Sequence, residues 1–381
     1  MKVLWASDGV VKTGFEFVSR GFLEQLQLRG WEPLHLAIGA TGDPHDYSWQ
    51  VFPAHVGGDH LGIGRIGKLC RDHQPDVVVI SGDSWVVPMY LPEIPKGTKV
   101  VAYCPVDAPN QPCGKLLNRC QLVLAPTLFG VQELVAGGYT GAARSIGYGI
   151  NTNLYEPMHP VDARKALGMP KVLQDAYIIG NVNRNAPRKR IDLTLKAFQH
   201  YRALGGDGYL LLHMAVRDTW GIDILQAVNY MGISDHIVLT GGRNEADFVP
   251  FNKLKLVYSC LDHQVSTTVG EGWGLTTAEG MASGVANTVP EYSALGEWAR
   301  GGVQFYDIAD TAINIGLVNT IWGIPDYQQL GGYMRFMQQS AGARADLAVR
   351  GLAHIQQPHF TWDAVGKQMD EALREVVDGL E

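Results

Sequence analysis

The chain has 381 residues, a formal net charge of -7, and 46% hydrophobic against 18% charged residues. That length suits two domains with sizeable cores, and that composition excludes a disordered chain. The acidic balance excludes a globally basic surface that tracks nucleic acid, and leaves room for a local basic patch.

No apolar run reaches the roughly 18 residues that a membrane span needs. The opening MKVLWASDGV reads as a strand running into a loop and lacks the long apolar core of a signal peptide. The five cysteines, Cys70, Cys104, Cys113, Cys120 and Cys260, are odd in number and show no metal-ligand spacing. Reduced thiols and a cytoplasmic location are therefore expected.

From the N-terminus, Val3–Ala6 reads as a strand, a loop passes through Thr13 and Gly14, and a helix runs to about Arg29. Val18, Phe22 and Leu26 recur every four residues and form its sheet-facing stripe. The loop is not GxGxxG, so a dinucleotide fingerprint is missing. Gly30 ends the helix and Pro33–Ala37 opens the next strand. Apolar runs at Val77–Ile80, Val100–Tyr103 and Leu122–Ala125 have the pattern of buried parallel strands. Ligands of open α/β sheets gather at the carboxyl ends of such strands. Asp83 and Asp107, just beyond two of these ends, are cleft candidates, with cap or turn roles open for both.

A linker is expected near Met158–Asp162. Beyond it, Tyr177–Asn183 reads as a strand and Asp192–Tyr201 as a helix. The loop between them packs Arg184, Arg188, Lys189 and Arg190 into seven residues ahead of a helix N-terminus. Point charges plus oriented amides suit a diphosphate; a solvated basic turn is the alternative. Strands at Tyr209–His213 and Ile237–Thr240 bracket a helix around Ile222–Met231, and the turn Thr240-Gly241-Gly242-Arg243 follows. His213 reads as a packed residue. Leu261–Thr267 and Val285–Val289 are further strands. Thr361–Val377 reads as a capped amphipathic helix, with Trp362, Val365, Met369, Leu373 and Val376 on one stripe.

The chain is organised around Val265–Trp298. Glu271 and Glu279 stand eight positions apart with Gly-Trp-Gly between them. A helix starting near Leu275 places Glu279 in its second turn and Glu271 in the preceding loop. The free N–H groups of such a start favour an anion or an oxygen-rich ligand, and Gly272 and Gly274 let backbone approach it closely. An ordinary βα turn with two solvated glutamates is the plain alternative. The order Glu-Gly-Trp-Gly-Leu-x-x-x-Glu-x-Met-Ala-x-Gly, with Glu297 thirteen residues after Gly284, resembles the signature of family-four retaining glycosyltransferases.

The resemblance implies roles, residue by residue. Glu271 and the loop Gly272, Trp273, Gly274, Leu275 and Thr276 hold the donor sugar, and Glu279 takes the ribose hydroxyls. Arg184 and Lys189, five apart, hold the donor diphosphate. Gly241 and Arg243 lie where the nucleobase packs on backbone. Gly14 borders the acceptor and the donor phosphates. Asp107 stands near a polar, acceptor-side position that is commonly His. Ser145–Pro157 resembles the segment that closes the first domain. The chain departs from the family at Thr267-Thr268, usually Pro-Ser, at Ala286, usually Pro, and at Ser293-Ala294, part of a glycine pair.

The fold so implied is GT-B: two doubly wound, Rossmann-like α/β domains facing across a cleft, with the C-terminal helix crossing back. Residues 1–158 would form the acceptor-side domain, joined by the helix 361–381, and residues 159–360 the nucleotide-sugar-binding domain. A last helix packed only on the second domain is the alternative. The implied activity moves a sugar from a UDP- or GDP-type donor to a hydroxyl acceptor, with retention at the anomeric carbon. Arg184, Lys189, Glu271 and Asp107 are the expected catalytic residues. No cofactor is expected, and no Asp-x-Asp metal clamp stands in the relevant loops, so no catalytic metal either. The acceptor is open between a glycan, a lipid, a small molecule and a modified DNA base. An epimerase, a phosphorylase or a non-catalytic sugar-nucleotide binding module would share this architecture.

Overall fold

The computed structural model describes residues 1–242, 251–315 and 318–379. The chain divides into two units, Met1–Gly149 with Ile313–Ile321 and Pro358–Glu381, and Ile150–Ala312 with Trp322–Gln357.

The first unit is built on seven strands: β1 (Lys2–Asp8), β2 (Glu32–Ile38), β3 (Gln50–Pro53), β4 (Val77–Ser81), β5 (Val100–Tyr103), β6 (Leu122–Ala125) and β7 (Ala142–Ser145). Their order is β3-β2-β1-β4-β5-β6-β7, and every neighbouring pair is parallel. The chain winds outward from β1 in one direction, then returns to β4 and winds in the other. The switch point lies between β1 and β4, the place where open α/β sheets take ligands at the strands' carboxyl ends. Strands β4, β5 and β6 are buried along their whole length, which is why they read as unbroken apolar runs.

The helix Gly14–Leu28 covers this sheet. Thr13 caps it, its hydroxyl accepting from the Glu16 N–H, and Val18, Phe22 and Leu26 are buried beneath. The C-terminal helix Trp362–Asp378, capped by Thr361, packs on it and belongs to the first unit. A Cβ on Gly21 or on Gly149 would lie 2.4 Å from the Trp362 ring, so both positions must stay bare. Trp31 Nε1 donates to Asp370 at 2.6 Å, and Arg29 pairs with Asp363 at 2.7 Å. The last helix thus returns to the first unit, as the resemblance implied.

The second unit repeats the plan with β8 (Ile178–Val182), β9 (Tyr209–His213), β10 (Ile237–Leu239), β11 (His263–Val265), β12 (Ala286–Pro290) and β13 (Gln304–Tyr306). The order is β10-β9-β8-β11-β12-β13, all parallel, with the switch point between β8 and β11. Ile179, Leu195, Phe198, Leu210, Leu212 and Val265 form its core. Strand β11 is shorter than the strand Leu261–Thr267 expected from the sequence. Thr267 and Thr268 leave the ladder and turn their hydroxyls to backbone carbonyls of the neighbouring loop, so side-chain bracing replaces strand pairing there. Among the described residues no helix is long and apolar enough to cross a membrane. All five cysteines are free thiols and buried.

Candidate active site

Neighbouring strands β8 and β11 end at the second switch point, and their loops carry the charged residues. After β8, Pro187–Lys189 forms one 3-10 turn. Arg190, held in the left-handed region at φ 45, then starts the helix Ile191–Ala203. The Thr267 hydroxyl reaches the Lys189 and Arg190 carbonyls, and Val269 N–H donates to the Arg188 carbonyl at 2.9 Å. These bonds lock the two loops side by side. Lys189 Nζ consequently pairs with Glu271 Oε1, and Arg188 with Glu271 Oε2 at 2.8 Å. The Glu271 side chain is 7% exposed. Burial pushes its carboxyl up, but the two cations and their hydrogen bonds outweigh burial and hold it at about 2. Arg188 and Lys189 thus share one ionised carboxylate at the strand ends.

The other two cations have other partners. Arg184 is 59% exposed at its side chain and bonds Asp218 at 2.7 Å, while Arg190 pairs with its near neighbour Asp192 at 2.8 Å. The family resemblance singles out Arg184 and Lys189 and gives Arg188 no role of its own, whereas the structure pairs Arg188 with Glu271. Charge spacing within the loop cannot rank four cations. The ranking comes from Glu271, 83 positions from Arg188 in the chain.

The glycine loop then enters the helix Leu275–Ala282, which starts where the sequence placed it. Gly274 is left-handed at φ 102, and a Cβ there would sit 2.7 Å from Leu295 Cδ2. Both the conformation and the space demand glycine. Gly274→Ala should therefore destabilise the protein by about 2 kcal/mol or more; a denaturant midpoint unchanged from wild type would refute this reading of the loop. Trp273 stacks on Trp298 at 4.7 Å with the rings 7° from parallel, and Trp298 Nε1 donates to the Trp273 carbonyl at 2.7 Å. Trp273 is thus an anchor for the loop, with one face covered. Gly272 lies buried between it and Glu271. Leu275 and Thr276 are half-buried at the helix start.

Ser293, where the resembling family has glycine, takes φ 48. Its hydroxyl accepts from the Glu271 N–H at 2.9 Å and lies 3.2 Å from the Glu271 carbonyl. The hydrogen bonds offset the strain of a left-handed serine. They also remove the Glu271 amide from those a ligand could use.

Glu279 lies buried in the second turn. Tyr155 Oη donates to Oε1 at 2.8 Å and Tyr258 Oη to Oε2. Burial pushes this carboxyl up to about 7, with the two phenols opposing. No local pattern in the sequence marks either tyrosine for this role.

Elsewhere in this unit, Gly241 follows β10. A Cβ there would lie 2.0 Å from the Met214 carbonyl oxygen, so the turn rests directly on the one after β9. His213 Nδ1 is 3.0 Å from Thr240 Oγ1, and burial lowers its pKa to about 4. It is a neutral, packed histidine. Arg243 lies outside the described residues.

In the first unit, Gly14 is the exposed first residue of its helix, at the carboxyl end of β1. Asp107 is half-buried in the run after β5, and Asp83 follows β4. The loop after β1 holds a feature the sequence did not signal. Val10 takes φ 63, a genuine outlier for a β-branched residue. Its N–H donates to the Tyr47 hydroxyl at 3.0 Å, which in turn donates to Glu16 at 2.6 Å.

No family model and no curated protein sequence matches the chain. Solved structures do. Sucrose-phosphate synthase from Thermosynechococcus elongatus is 17% identical, with a TM-score of 0.78 over 99% of both chains. HepE from Anabaena, solved in complex with UDP-glucose, is 14% identical, with a TM-score of 0.72 over 98% of this chain and 100% of that one. WaaG, a glycosyltransferase involved in lipopolysaccharide biosynthesis, is 10% identical, with a TM-score of 0.73 over 98% and 99%. Two doubly wound parallel sheets, in a chain that superposes end to end on these enzymes, give this protein the GT-B fold.

Proposed function

We propose that the chain is a glycosyltransferase of the family-four retaining kind. It moves a sugar, a hexose by analogy, from a nucleotide-diphosphate donor to a hydroxyl acceptor, without a cofactor or a metal. The observation that carries this reading is the Arg188–Lys189–Glu271 cluster at the second switch point. Breaking the bond between sugar and diphosphate builds negative charge on the leaving phosphate. Cations already fixed in place stabilise that charge without reorganising. Glu271 orients the two cations, Arg184 adds a third from the same loop, and Glu279 receives the ribose. The donor is read as UDP-type, because HepE, similar in fold, was solved with UDP-glucose.

The test is a screen of UDP- and GDP-sugars for slow donor hydrolysis, with and without a chelator. One donor should be consumed, equally in both conditions. Failure to bind or hydrolyse any nucleotide sugar would overturn the reading, and loss of activity that added divalent metal restores would overturn its metal-free form.

On the acceptor side we assign Asp107, which follows the buried strand β5. A carboxylate there hydrogen-bonds the attacking hydroxyl or steadies the positive charge growing on the sugar. Asp107→Asn should lower kcat with the donor Kd nearly unchanged. An Asx turn tolerates Asn, so unchanged turnover would remove Asp107 from the site.

A further inference from the structure

Both oxygens of the Glu279 carboxylate are engaged before any ligand arrives. Tyr155 donates to Oε1 at 2.8 Å and Tyr258 to Oε2. Both tyrosines are fully buried, and their rings meet edge to face at 5.9 Å and 80°. They come from separate parts of the second unit: Tyr155 from just beyond its start at Ile150, and Tyr258 from the end of the helix Phe251–Ser259. Burying a carboxylate without a cation is expensive. Among the described residues no cation pairs with Glu279. Two hydroxyls aimed at it from different segments hold its plane and rotamer. An ionised carboxylate has about four acceptor positions, and two phenols fill two of them. Among the described residues no further side chain donates to either oxygen, which leaves one position on each.

We propose that Tyr155 and Tyr258 are positioning residues of the nucleotide site: one phenol on each oxygen fixes Glu279 so that its remaining lone pairs accept from the vicinal hydroxyls of a ribose, which makes the site selective for ribonucleotides. This rests on the reading of Glu279 as the ribose-binding residue of a sugar-nucleotide site. A freely rotating carboxylate must lose rotamer freedom before it can accept from both hydroxyls of a diol. A clamped one presents both acceptors at the spacing of a diol.

Protonation gives a second readout. Tyr258 faces Glu279 from the helix Phe251–Ser259 and Tyr155 from the segment after Ile150. These phenols are the groups that oppose burial, and no ionisable group on β12 or on the helix Ala341–Ile355 adds to them. A carboxyl that carries a proton has lost an acceptor position. UDP should therefore bind more tightly as pH rises through about 7.

The variants are Tyr155→Phe and Tyr258→Phe, which keep the rings and their packing. Calorimetry with UDP and with 2′-deoxy-UDP, repeated across the neutral pH range, provides the measurement. Wild type should prefer UDP by roughly tenfold or more. Each variant should bind UDP about tenfold more weakly and 2′-deoxy-UDP within about twofold of wild type. Its pH midpoint for UDP should move upward, and with a sugar donor KM should rise while kcat changes little. Equal weakening of both nucleotides, or an unmoved midpoint with selectivity intact, overturns the proposal. Should one variant fail to fold, the other decides. Wild type and Glu279→Gln separate the two levels. A wild type that binds both nucleotides alike, or a Glu279→Gln variant that still discriminates, overturns the ribose reading and this proposal with it. A wild type that discriminates, beside tyrosine variants that discriminate equally, overturns the tyrosine proposal alone.

Discussion

Lys189→Ala lowers kcat/KM by about a hundredfold or more, Arg188→Ala by at least about tenfold, and Arg190→Ala by less than about threefold. The order follows from what each cation touches. Lys189 is the least exposed of the three, at 12% of its side chain, and sits on a carboxylate that is buried and ionised. Its charge is felt through little water, so it acts strongly on a phosphate oxygen that gains charge in the transition state. Arg188 shares Glu271 but is 32% exposed, so part of its effect is screened. Arg190 spends its guanidinium on Asp192 two residues away and serves the turn. Arg184→Ala should lower kcat/KM by at least about tenfold but less than Lys189→Ala, because its side chain is 59% exposed and its charge is partly screened. A diphosphate carrying two charges competes with the Asp218 carboxylate for it. The effect should appear in kcat rather than in donor Kd, since the charge grows after binding. Small and equal losses at all four positions would reduce the loop to a solvated basic turn.

What could be read in the sequence was local. The Thr361 cap, the four-residue spacing of Val18, Phe22 and Leu26, and the start of a helix at Leu275 each depend on neighbours within two turns, and each stands where the pattern put it. The runs of β4, β5 and β6 were legible because these parallel strands are buried along their whole length and are almost wholly apolar. What joins the switch-point loops was not legible. Arg188 meets Glu271 across 83 positions, Tyr155 meets Glu279 across 124, and Ser293 ties the Glu271 backbone from the far side of a helix and a strand. The left-handed Ser293 had a faint signal, since the resembling family keeps glycine there. The shortened β11 had none, because Thr267 and Thr268 suit a strand until the loop after β8 supplies carbonyls for their hydroxyls.

Glu271→Gln should lower turnover at least about a hundredfold without weakening UDP binding, and should destabilise the protein by about 3–5 kcal/mol at neutral pH. The amide keeps the shape of the side chain and discards its charge. Arg188 and Lys189 then lose the carboxylate they share, and breaking a buried pair on one side is the costly way to break it. A diphosphate can replace the lost carboxylate, so UDP affinity holds or rises. The cations are no longer held in one geometry, so turnover falls. The pH dependence has a definite sign. Glu271 is held at about 2 in the fold, below an ordinary value of 4.5, so its contribution is fully present above about 4.5 and is lost as pH falls toward 2. The stability gap between wild type and Glu271→Gln should therefore close in acid. Glu279 works in the opposite direction. Its folded value of about 7 lies above 4.5, so wild-type stability declines as pH rises from about 4.5 to 7, and Glu279→Gln should remove that decline. Denaturant melts of the three proteins at several pH values separate the two carboxylates. A Glu271→Gln gap that stays constant down to pH 3 would mean that the cations do not hold Glu271 ionised, and the ion pairing assigned to the site would fall with it.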